Sequence, residues 1–482
     1  MADRDRAFLA ELQAMSLNDK FQRTLGLVGE WHNYYDHKVY VSLSGGKDST
    51  VLADIDAKWC KAIGQPLNLV FSNTGLEYPE IQQHVREMKP YFADKYGVEV
   101  NLTIVRPKMM FSEVISKYGY PLIGKEVAEA IYYARRIRSD GSAERERETR
   151  RRRELDGRMS AEYTHTHTPR RPGTPSQADR TTWQKKQELM GNRANGKDWK
   201  WGGEGQPHPD EYSEKQTDSS ARPMGRSRGS WDTYEPFQRD RWVLSGFRSA
   251  AGVEPFKSQF NKERWLPLAR DVPFMISHYC CNVMKKSPLA KFQKQTGMYP
   301  FLGTMAEESR LRTQAWIRHG CNAFEGSKHT SQPLSFWTEQ DILLYTLKSE
   351  LPLASVYGEI VAVDENGQEY DPSSLIGGCG KLKCTGCQRT GCIFCGFGAH
   401  LEKPGEGRFE RLAFTHPKQY DYCINGGQWV DNPAYDPTAP EYDGEWKNWN
   451  PKKIWVPSKK GLGMGKVFDM TNEIYGKDFI RY

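Results

Sequence analysis

The stretch VYVSLSGGKDST, residues 39–50, decides the fold class of this chain. Its first five residues are an apolar run of strand composition, and apolar residues recur at helical spacing from Val51 to Trp59. Between them stand Gly45 and Gly46, which allow backbone amides to approach an anion closely. The N-terminus of the following helix adds partial positive charge at the same point. The stretch therefore predicts a strand, an anion-binding loop and a helix, in that order.

The side chains of this loop extend the prediction from an anion to a nucleotide. Lys47 supplies a cation, and Ser44 and Ser49 supply hydroxyl groups beside the two glycines. The spacing is not that of a Walker loop, which has four residues between its first glycine and the Gly-Lys pair. It resembles the PP-loop of the ATP pyrophosphatases, which cleave ATP between the α and β phosphates. The resemblance implies that Mg²⁺ bridges the phosphates, that Lys47 and Asp48 act in catalysis, and that ATP or a related adenylyl nucleotide binds Ser44, Gly45, Gly46, Lys47, Asp48 and Ser49.

Later segments repeat the alternation of strand and helix. Residues 67–71 have strand composition, 79–96 read as a helix that begins at a proline, and 98–105 form a third apolar run. Such alternation favours a parallel sheet. We therefore expect an α/β fold with a doubly wound parallel sheet of the PP-loop or Rossmann-like type. Residues 339–348 predict a further helix, with Thr338 as its N-cap.

A second segment, FSNTGLEYPE at residues 71–80, follows the second predicted strand. Ligands of open α/β sheets bind at the carboxyl ends of the strands. The segment resembles the second signature of the phosphoadenylylsulfate (PAPS) reductase branch of the PP-loop superfamily. The resemblance implies that Thr74, Gly75 and Glu77 help to enclose the nucleotide. Asn73 stands where an aspartate is more usual, so this position lacks the carboxylate.

A third segment, GTMAEESRLR at residues 303–312, resembles the Gly-x-x-x-x-Glu-Ser-x-x-Arg element of the same family. The resemblance implies that Ser309 and Arg312 face the nucleotide or substrate, and Arg312 is the residue we choose for contact with an anion. Sulfonucleotide reductases typically carry an arginine where this chain has Met305 or Ala306. Weaker recognition of a sulfate group is therefore expected.

The cysteines favour a metal centre over disulfides, because the chain shows no export signal and cytosolic reductants keep thiols reduced. Cys280, Cys281, Cys392 and Cys395 form two close pairs that could ligate a [4Fe-4S] cluster. The arrangement resembles the CC…CxxC pattern of cluster-containing adenylylsulfate reductases. A structural zinc and the absence of any metal remain open as alternatives. The zinc ligands would be Cys384, Cys387, Cys392 and Cys395.

Length and composition divide the chain into four parts. Its 482 residues correspond to about two or three folded units. Residues 135–241 hold 24 Lys and Arg against 18 Asp and Glu, so six of the chain's seven net positive charges lie there. The predicted parts are the first part of the PP-loop core, a charged low-complexity insertion, the second part of the PAPS reductase-like domain, and a Cys-rich segment with a C-terminal extension: 1–135, 136–241, 242–376 and 377–482.

The charged insertion has two interpretations. It is a solvated linker or mobile loop, since low apolar content cannot offset the entropy of ordering, or it contacts nucleic-acid phosphates. The second interpretation is favoured by interleaved tryptophans, because indoles stack on bases: Trp183, Trp199, Trp201 and Trp231. The expected partners are an adenine nucleotide, a nucleic-acid substrate bound by the insertion, and a thiol reductant or sulfur-donor protein. No apolar stretch reaches the roughly 20 residues that cross a bilayer, so we expect a cytoplasmic protein without membrane contact.

One missing motif separates the candidate activities. Sulfonucleotide reductases attack their substrate with a cysteine in a Glu-Cys-Gly-Leu-His-like motif near the C-terminus, and the sequence contains none. Cys60, Cys321 and the last cysteine, Cys423, are predicted to pack in the core. The leading expectation is a PP-loop enzyme that couples ATP to sulfur transfer or to adenylation of an acceptor. The alternatives are a sulfonucleotide reductase that releases sulfite, and a nucleotide-sensing, DNA-binding regulator without catalysis.

Overall fold

A computed structural model describes five ranges of the chain: 2–139, 263–325, 329–372, 380–438 and 449–482. Residues 1–135 and 244–482 belong to one compact unit. Beyond residue 139, the predicted charged insertion at 136–241 lies outside the described residues, as do the tryptophans on which a nucleic-acid contact was predicted.

The described residues form thirteen α-helices that are interspersed with short strands. The helices are α1 Ala2–Ala14, α2 Leu17–Tyr34, α3 Lys47–Ile63, α4 Pro79–Tyr96, α5 Phe111–Tyr118, α6 Lys125–Ser139, α7 Leu266–Arg270, α8 Ser287–Thr296, α9 Arg310–His319, α10 Glu339–Lys348, α11 Arg408–Thr415, α12 Pro417–Ile424 and α13 Met464–Tyr475. The strands are β1 Val39–Ser42, β2 Leu67–Ser72, β3 Val100–Val105, β4 Leu122–Ile123, β5 Tyr299–Phe301, β6 Asn322–Ala323, β7 Thr330–Ser331, β8 Ile360–Val363, β9 Glu369–Tyr370, β10 Lys381–Cys384, β11 Gly396–Phe397, β12 Gln428–Asp431 and β13 Lys453–Val456.

A six-stranded sheet in the order β3-β2-β1-β5-β7-β6 forms the centre of the fold. All neighbouring strands are parallel except β6 and β7. Val39, Tyr40 and Val41 of β1 are at most 1% exposed, as expected for a central strand covered on both faces. The predicted α/β fold is therefore confirmed, with one antiparallel pair at the edge of a mostly parallel sheet.

The strand order creates a switch point beside β1. The chain builds β1, β2 and β3 to one side and then returns to place β5 on the other side of β1. In open α/β sheets, ligands bind in the crevice at the carboxyl ends of the strands where the order reverses. The loops that leave β2, β1 and β5 contain the three sequence segments described above, so all three reach one edge of the sheet.

The Cys-rich segment packs back onto the first part of the chain. Gly396 and Phe397 of β11 pair in parallel with Leu122 and Ile123 of β4. A Cβ on Gly396 would lie 2.3 Å from the carbonyl oxygen of Pro121, so only glycine allows this approach. The segment is thereby fixed beside the carboxyl edge of the sheet.

Buried Arg135 links α6, which precedes the insertion, to the chain that follows it. Its Nε donates to the carbonyl of Ala269 at 2.9 Å, and its Nη2 donates to that of Leu268 at 2.5 Å. Burial lowers the pKa of this guanidinium to about 9. Among the described residues, no helix is both long and apolar enough to cross a membrane.

Candidate nucleotide and cysteine sites

The predicted PP-loop adopts a tight conformation between β1 and α3. Gly45 has a φ of +75°, and a Cβ there would lie 2.7 Å from a methyl group of Ile81, so glycine is required. Ser49 Oγ donates to the carbonyl of Gly46 at 2.9 Å and lies 3.0 Å from Ser44 Oγ. The two predicted hydroxyls therefore brace the loop internally. These hydrogen bonds stabilise the start of α3, and both hydroxyls remain candidates for contact with phosphate.

Lys47 is the first residue of α3, and its side chain is almost completely buried. Its Nζ lies 2.9 Å from Glu339 Oε1 and donates to the carbonyl of Gln388 at 2.8 Å. Glu339 begins helix α10, whose predicted N-cap Thr338 accepts a hydrogen bond from the Asp341 amide. The predicted phosphate-binding cation is thus at the expected edge, where it already contacts two protein oxygens.

Asp48 lies beside Lys47 with one carboxylate oxygen, Oδ1, buried and without a hydrogen-bond partner. Burial raises the pKa of Asp48, although the nearby cations Lys47, Arg389 and Arg312 act in the opposite direction. A buried, unpartnered carboxylate oxygen is costly unless a ligand or ion completes its coordination. Asp48 is therefore a candidate ligand for the expected Mg²⁺, a role that the sequence had not assigned to it, since Mg²⁺ binds carboxylate and phosphate oxygens.

The turn after β2 is organised by Glu77. Its two carboxylate oxygens accept from the amide of Thr74 at 3.0 Å and from the Thr74 hydroxyl at 2.7 Å. Gly75 has a φ of +74°, and its amide donates to Asn73 Oδ1. Asn73 thus orders this turn through its side-chain amide oxygen, at the position where an aspartate carboxylate is more usual.

The 303–312 segment packs directly on the PP-loop. A Cβ on Gly303 would lie 3.0 Å from the carbonyl oxygen of Asp48. Ser309 is the N-cap of α9, and its hydroxyl accepts from the amide of Arg312. Arg312 pairs with Glu308, whose other carboxylate oxygen lies 3.8 Å from Arg389 Nη1. The structure thus assigns a capping contact to Ser309 and brings a second arginine beside Arg312.

Four groups at this edge were missed by sequence reasoning: Tyr357, Glu339, Gln388 and Arg389. The Tyr357 hydroxyl lies 2.7 Å from Thr390 Oγ1, and burial raises the pKa of Tyr357 to about 12. Arg389, which lies between Cys387 and Cys392, could have been noted in the sequence as a basic residue in the Cys-rich segment, but no pattern there connects it to Arg312. The contacts of these groups join residues that are 33 to 341 positions apart.

The four cysteines predicted to bind a cluster line one cavity. Cys280, Cys281, Cys392 and Cys395 share it with Lys285 and with the apolar side chains of Leu76, Phe111, Pro121 and Met284. Cys280 and Cys281 directly precede the π-helical turn Asn282–Lys286, and Cys392 and Cys395 lie in the loop before β11. Their convergence on one apolar cavity, from segments about 110 residues apart, is the arrangement that an all-thiolate cluster requires.

Basic side chains near this cavity favour thiolates, whereas burial opposes them. The hydrogen bond to Cys281 and burial raise the pKa of Cys280, and burial raises that of Cys392 to about 11. The hydrogen bond with Cys280 is the main cause that lowers the pKa of Cys281, to about 5. Lys125 and Lys285 also lower this pKa, and burial acts in the opposite direction. Burial raises the pKa of Cys395, and Arg408 acts in the opposite direction. The cations offset part of the negative charge that four thiolates would bring into the cavity.

The zinc alternative fits the geometry less well. Among the described residues, no three cysteine sulfurs lie within 4.8 Å of one another, whereas Zn–S bonds of about 2.3 Å bring tetrahedral sulfurs to roughly 3.8 Å. Cys384 and Cys387 are buried outside the cavity, and Cys384 lies near Lys47 and Glu339. Cys379 lies outside the described residues.

Of the cysteines predicted to pack in the core, two are fully buried. Cys60 and Cys423 are 0% exposed, and burial raises the pKa of both thiols. Cys321 is half-buried and accepts a hydrogen bond from Trp316 Nε1.

The nucleotide edge and the cysteine cavity are adjacent. Lys285 lies on the cavity wall, and its Nζ is 3.9 Å from Glu77 Oε1, on the turn that also holds Thr74. The amide of Ile393, between Cys392 and Cys395, donates to the carbonyl of Leu76 at 2.8 Å. A ligand at one site would therefore lie close to a metal group at the other.

The fold combines a mostly parallel α/β sheet with a PP-loop at its switch point, and this combination defines the PP-loop class of nucleotide-binding proteins. Residues 248–396 match the family model of the phosphoadenosine phosphosulfate reductase domain, a family within the PP-loop superfamily. The match includes the third segment and both cysteine pairs, while the PP-loop itself precedes it. Members of this family bind adenine nucleotide substrates and are generally enzymes.

One curated relative is an uncharacterized protein of Methanocaldococcus jannaschii. It is 30% identical to this chain over 105 residues, which are 21% of this chain and 20% of the relative. The similarity thus spans about a fifth of the length of the relative.

Proposed function

We propose that the chain binds ATP or a related adenylyl nucleotide at the carboxyl edge of β1 and couples it to sulfur transfer or to adenylation of an acceptor. The observation that carries this proposal is the convergence of three segments on one switch-point edge. The start of α3, the Thr74 turn and the 303–312 segment follow the adjacent strands β1, β2 and β5. This edge combines helix-terminal amides, a lysine and a carboxylate, which together suit a magnesium-bound polyphosphate.

The chemistry that fits these groups is displacement at the α-phosphorus. An acceptor oxygen forms a bond to the α-phosphorus, the bond to the bridging α,β-oxygen breaks, and pyrophosphate leaves with that electron pair. Lys47 would stabilise the negative charge on the departing pyrophosphate, and Arg312 would contact a non-bridging oxygen. Asp48 would orient Mg²⁺ through its unpartnered oxygen. A nucleic acid is one candidate acceptor.

We further propose that Cys280, Cys281, Cys392 and Cys395 hold a [4Fe-4S] cluster. Support comes from the shared apolar cavity and from the cations Lys125, Lys285 and Arg408 near its cysteines. When bound, such a cluster supplies one-electron chemistry at a site adjacent to the nucleotide turn. The contacts of Lys285 with Glu77 and of Ile393 with Leu76 favour a functional relation between the two sites over two independent ones.

The burial of Cys423 weakens the sulfonucleotide reductase alternative. That reaction requires a thiolate that reaches the substrate sulfur. Cys423 is fully buried, its thiol hydrogen bonds to the sulfur of Met464, and burial raises its pKa. A reductase would therefore need another thiol of this chain or one from a partner protein.

The test begins with anaerobic purification of the full chain, followed by an absorption spectrum and analysis of iron, zinc and sulfide. Nucleotide affinity is then measured by calorimetry, and release of pyrophosphate from ATP is assayed with candidate acceptors. We expect a brown protein that binds ATP and releases pyrophosphate when the correct acceptor is present. Sulfite release from a sulfonucleotide with a thiol reductant would favour the reductase, and nucleotide binding without turnover of any acceptor would favour a regulator.

A further inference from the structure

Another part of the chain covers the phosphate-binding loop. A Cβ placed on Gly46 would lie 3.1 Å from the Tyr357 hydroxyl oxygen and 3.6 Å from Thr390 Oγ1. The Tyr357 and Thr390 hydroxyls lie 2.7 Å apart, and the carbonyl of Gln388 accepts from Lys47 Nζ at 2.8 Å. Oxygen atoms of Tyr357, Gln388 and Thr390 thus lie beside Gly46 and Lys47, the residues that the proposed function assigns to phosphate binding.

These oxygens compete with a ligand for the same donors. The Tyr357 ring lies beside the Lys47 ammonium, with Nζ 5.8 Å from the ring centroid. The ammonium is held between Gln388 and Glu339, and Lys47 is only 3% exposed. A phosphate bound at this helix N-terminus would use the Lys47 ammonium and the space beside Gly46, so it competes with these contacts.

We propose that residues 385–391, which we call the cap loop, close the PP-loop together with Tyr357. Both withdraw when the polyphosphate of a nucleotide binds. The proposal rests on the proposed nucleotide function and adds its regulation. Since only the open form binds the ligand, the apparent dissociation constant equals the intrinsic one divided by the open fraction. Changes that favour the open form therefore tighten the apparent binding.

The cap loop combines exposed and buried residues. Most of its residues are exposed, and Arg389 exposes 60% of its side chain. Three backbone bonds attach it to residues 356–359: the amides of Thr385, Gly386 and Cys387 donate to the carbonyls of Glu359, Tyr357 and Val356 at 2.9, 2.8 and 2.9 Å. Cys387 is 3% exposed and Tyr357 is 2% exposed, so opening exposes apolar surface and costs free energy, which keeps the open fraction small until a ligand binds. Buried Cys384 and Ile393 lie on either side of it.

The cap loop also joins the two sites. It lies between Cys384 and Cys392, so its C-terminal end enters the cysteine cavity. Its withdrawal would leave Cys392 and Cys395 in place, because Ile393 bonds to Leu76 and β11 pairs with β4. Opening is therefore local to the loop.

The test compares ATP binding by the full chain and by the double variant Tyr357→Phe/Thr390→Ala. Losing the hydroxyl contacts of the closed form should tighten ATP binding about tenfold. Adenosine has no phosphate, so its affinity should change little. Tyr120→Phe is the matched control, since it removes an equally buried hydroxyl that donates to Leu462, far from the PP-loop in sequence, and it should bind ATP like the wild type.

Hydrogen exchange of the wild-type protein supplies a second measurement. Added ATP should increase exchange at the amides of Gly386 and Cys387, whereas adenosine should not. Equal or weaker ATP binding by the double variant, or stronger protection of these amides by ATP, would overturn the cap. If adenosine binds but neither protein binds ATP, the cap is wrong and an adenine site remains. If neither ligand binds either protein, the proposed nucleotide function itself fails.

Discussion

The PP-loop and the cysteine cavity are built in opposite ways, although they adjoin. The PP-loop is one contiguous run at the end of a central strand, and hydrogen bonds among Ser44, Gly46 and Ser49 brace it from within. The cavity is assembled from two cysteine pairs about 110 residues apart, which meet only because β11 pairs with β4. Local sequence therefore specifies the first site, and long-range packing specifies the second.

This contrast also separates what each site needs in order to form. The shape of the phosphate loop follows from glycine geometry and a helix start within one contiguous run. Among the described residues, no three cysteine sulfurs lie within 4.8 Å of one another, so the four thiols do not surround a single tetrahedral ion. We therefore expect loss of one ligand to affect the cysteine site severely, and loss of one PP-loop side chain to weaken binding while the loop remains formed.

Replacement of one cavity cysteine should have the largest effect. Cys392→Ser removes a thiolate from a four-ligand set, so we expect most of the iron, sulfide and brown colour to be lost. Anaerobic metal analysis and the visible spectrum measure this loss. Cys384→Ser is the matched control, because Cys384 is buried outside the cavity. Zinc in place of iron in the wild type, lost from both Cys392→Ser and Cys384→Ser, would instead assign the metal to the zinc set.

Removal of the Lys47 ammonium should have an intermediate effect on the nucleotide edge. Hydrogen bonds to charged groups contribute about 1.5–3 kcal/mol, so Lys47→Ala should weaken ATP binding about 10- to 100-fold. Calorimetry with ATP measures the change, and the iron content should stay at the wild-type level. Lys61→Ala, at the exposed far end of the same helix, should leave both unchanged. ATP affinity that is unaltered in Lys47→Ala would contradict the nucleotide site.

The smallest expected effect is a change with pH in the free energy of unfolding. It arises from one histidine that packs against α3, the helix that follows the PP-loop. His84 on α4 lies 3.3 Å from the hydroxyl of Thr50, and burial lowers its pKa to about 4 against a reference value of 6.5. The unfolded chain therefore binds a proton between pH 6.5 and 4 that the folded chain does not, so stability falls as the pH is lowered. From pH 7.5 to 5.5 the loss is about 1 kcal/mol.

Urea unfolding of the wild type and of His84→Gln at these two pH values measures this contribution. The variant has no group that titrates at this position, so its stability should fall less as the pH is lowered, by about the same 1 kcal/mol. Identical pH slopes in the two proteins would show that His84 is not buried in its neutral form.

Some sequence interpretations stayed incomplete because they treated side chains as isolated. Ser309 fits the family element, but its hydroxyl caps α9. The arginine missing at Met305 and Ala306 has a counterpart in space, since Arg389 lies beside the carboxylate that pairs with Arg312. A sequence motif records neighbours along the chain, whereas a charge acts on whatever lies within a few ångströms.

The sequence by itself determined the α/β fold, the position of the PP-loop and the identity of the four cysteines to be compared. It could do so because apolar periodicity, glycine geometry and helix capping act over a few residues. Only the tertiary structure decided which cysteines share a cavity, that Lys47 meets Glu339 and Gln388, and that Tyr357 lies over Gly46. Those contacts arise when the completed sheet and the segments after it pack together, and the packing depends on the whole chain.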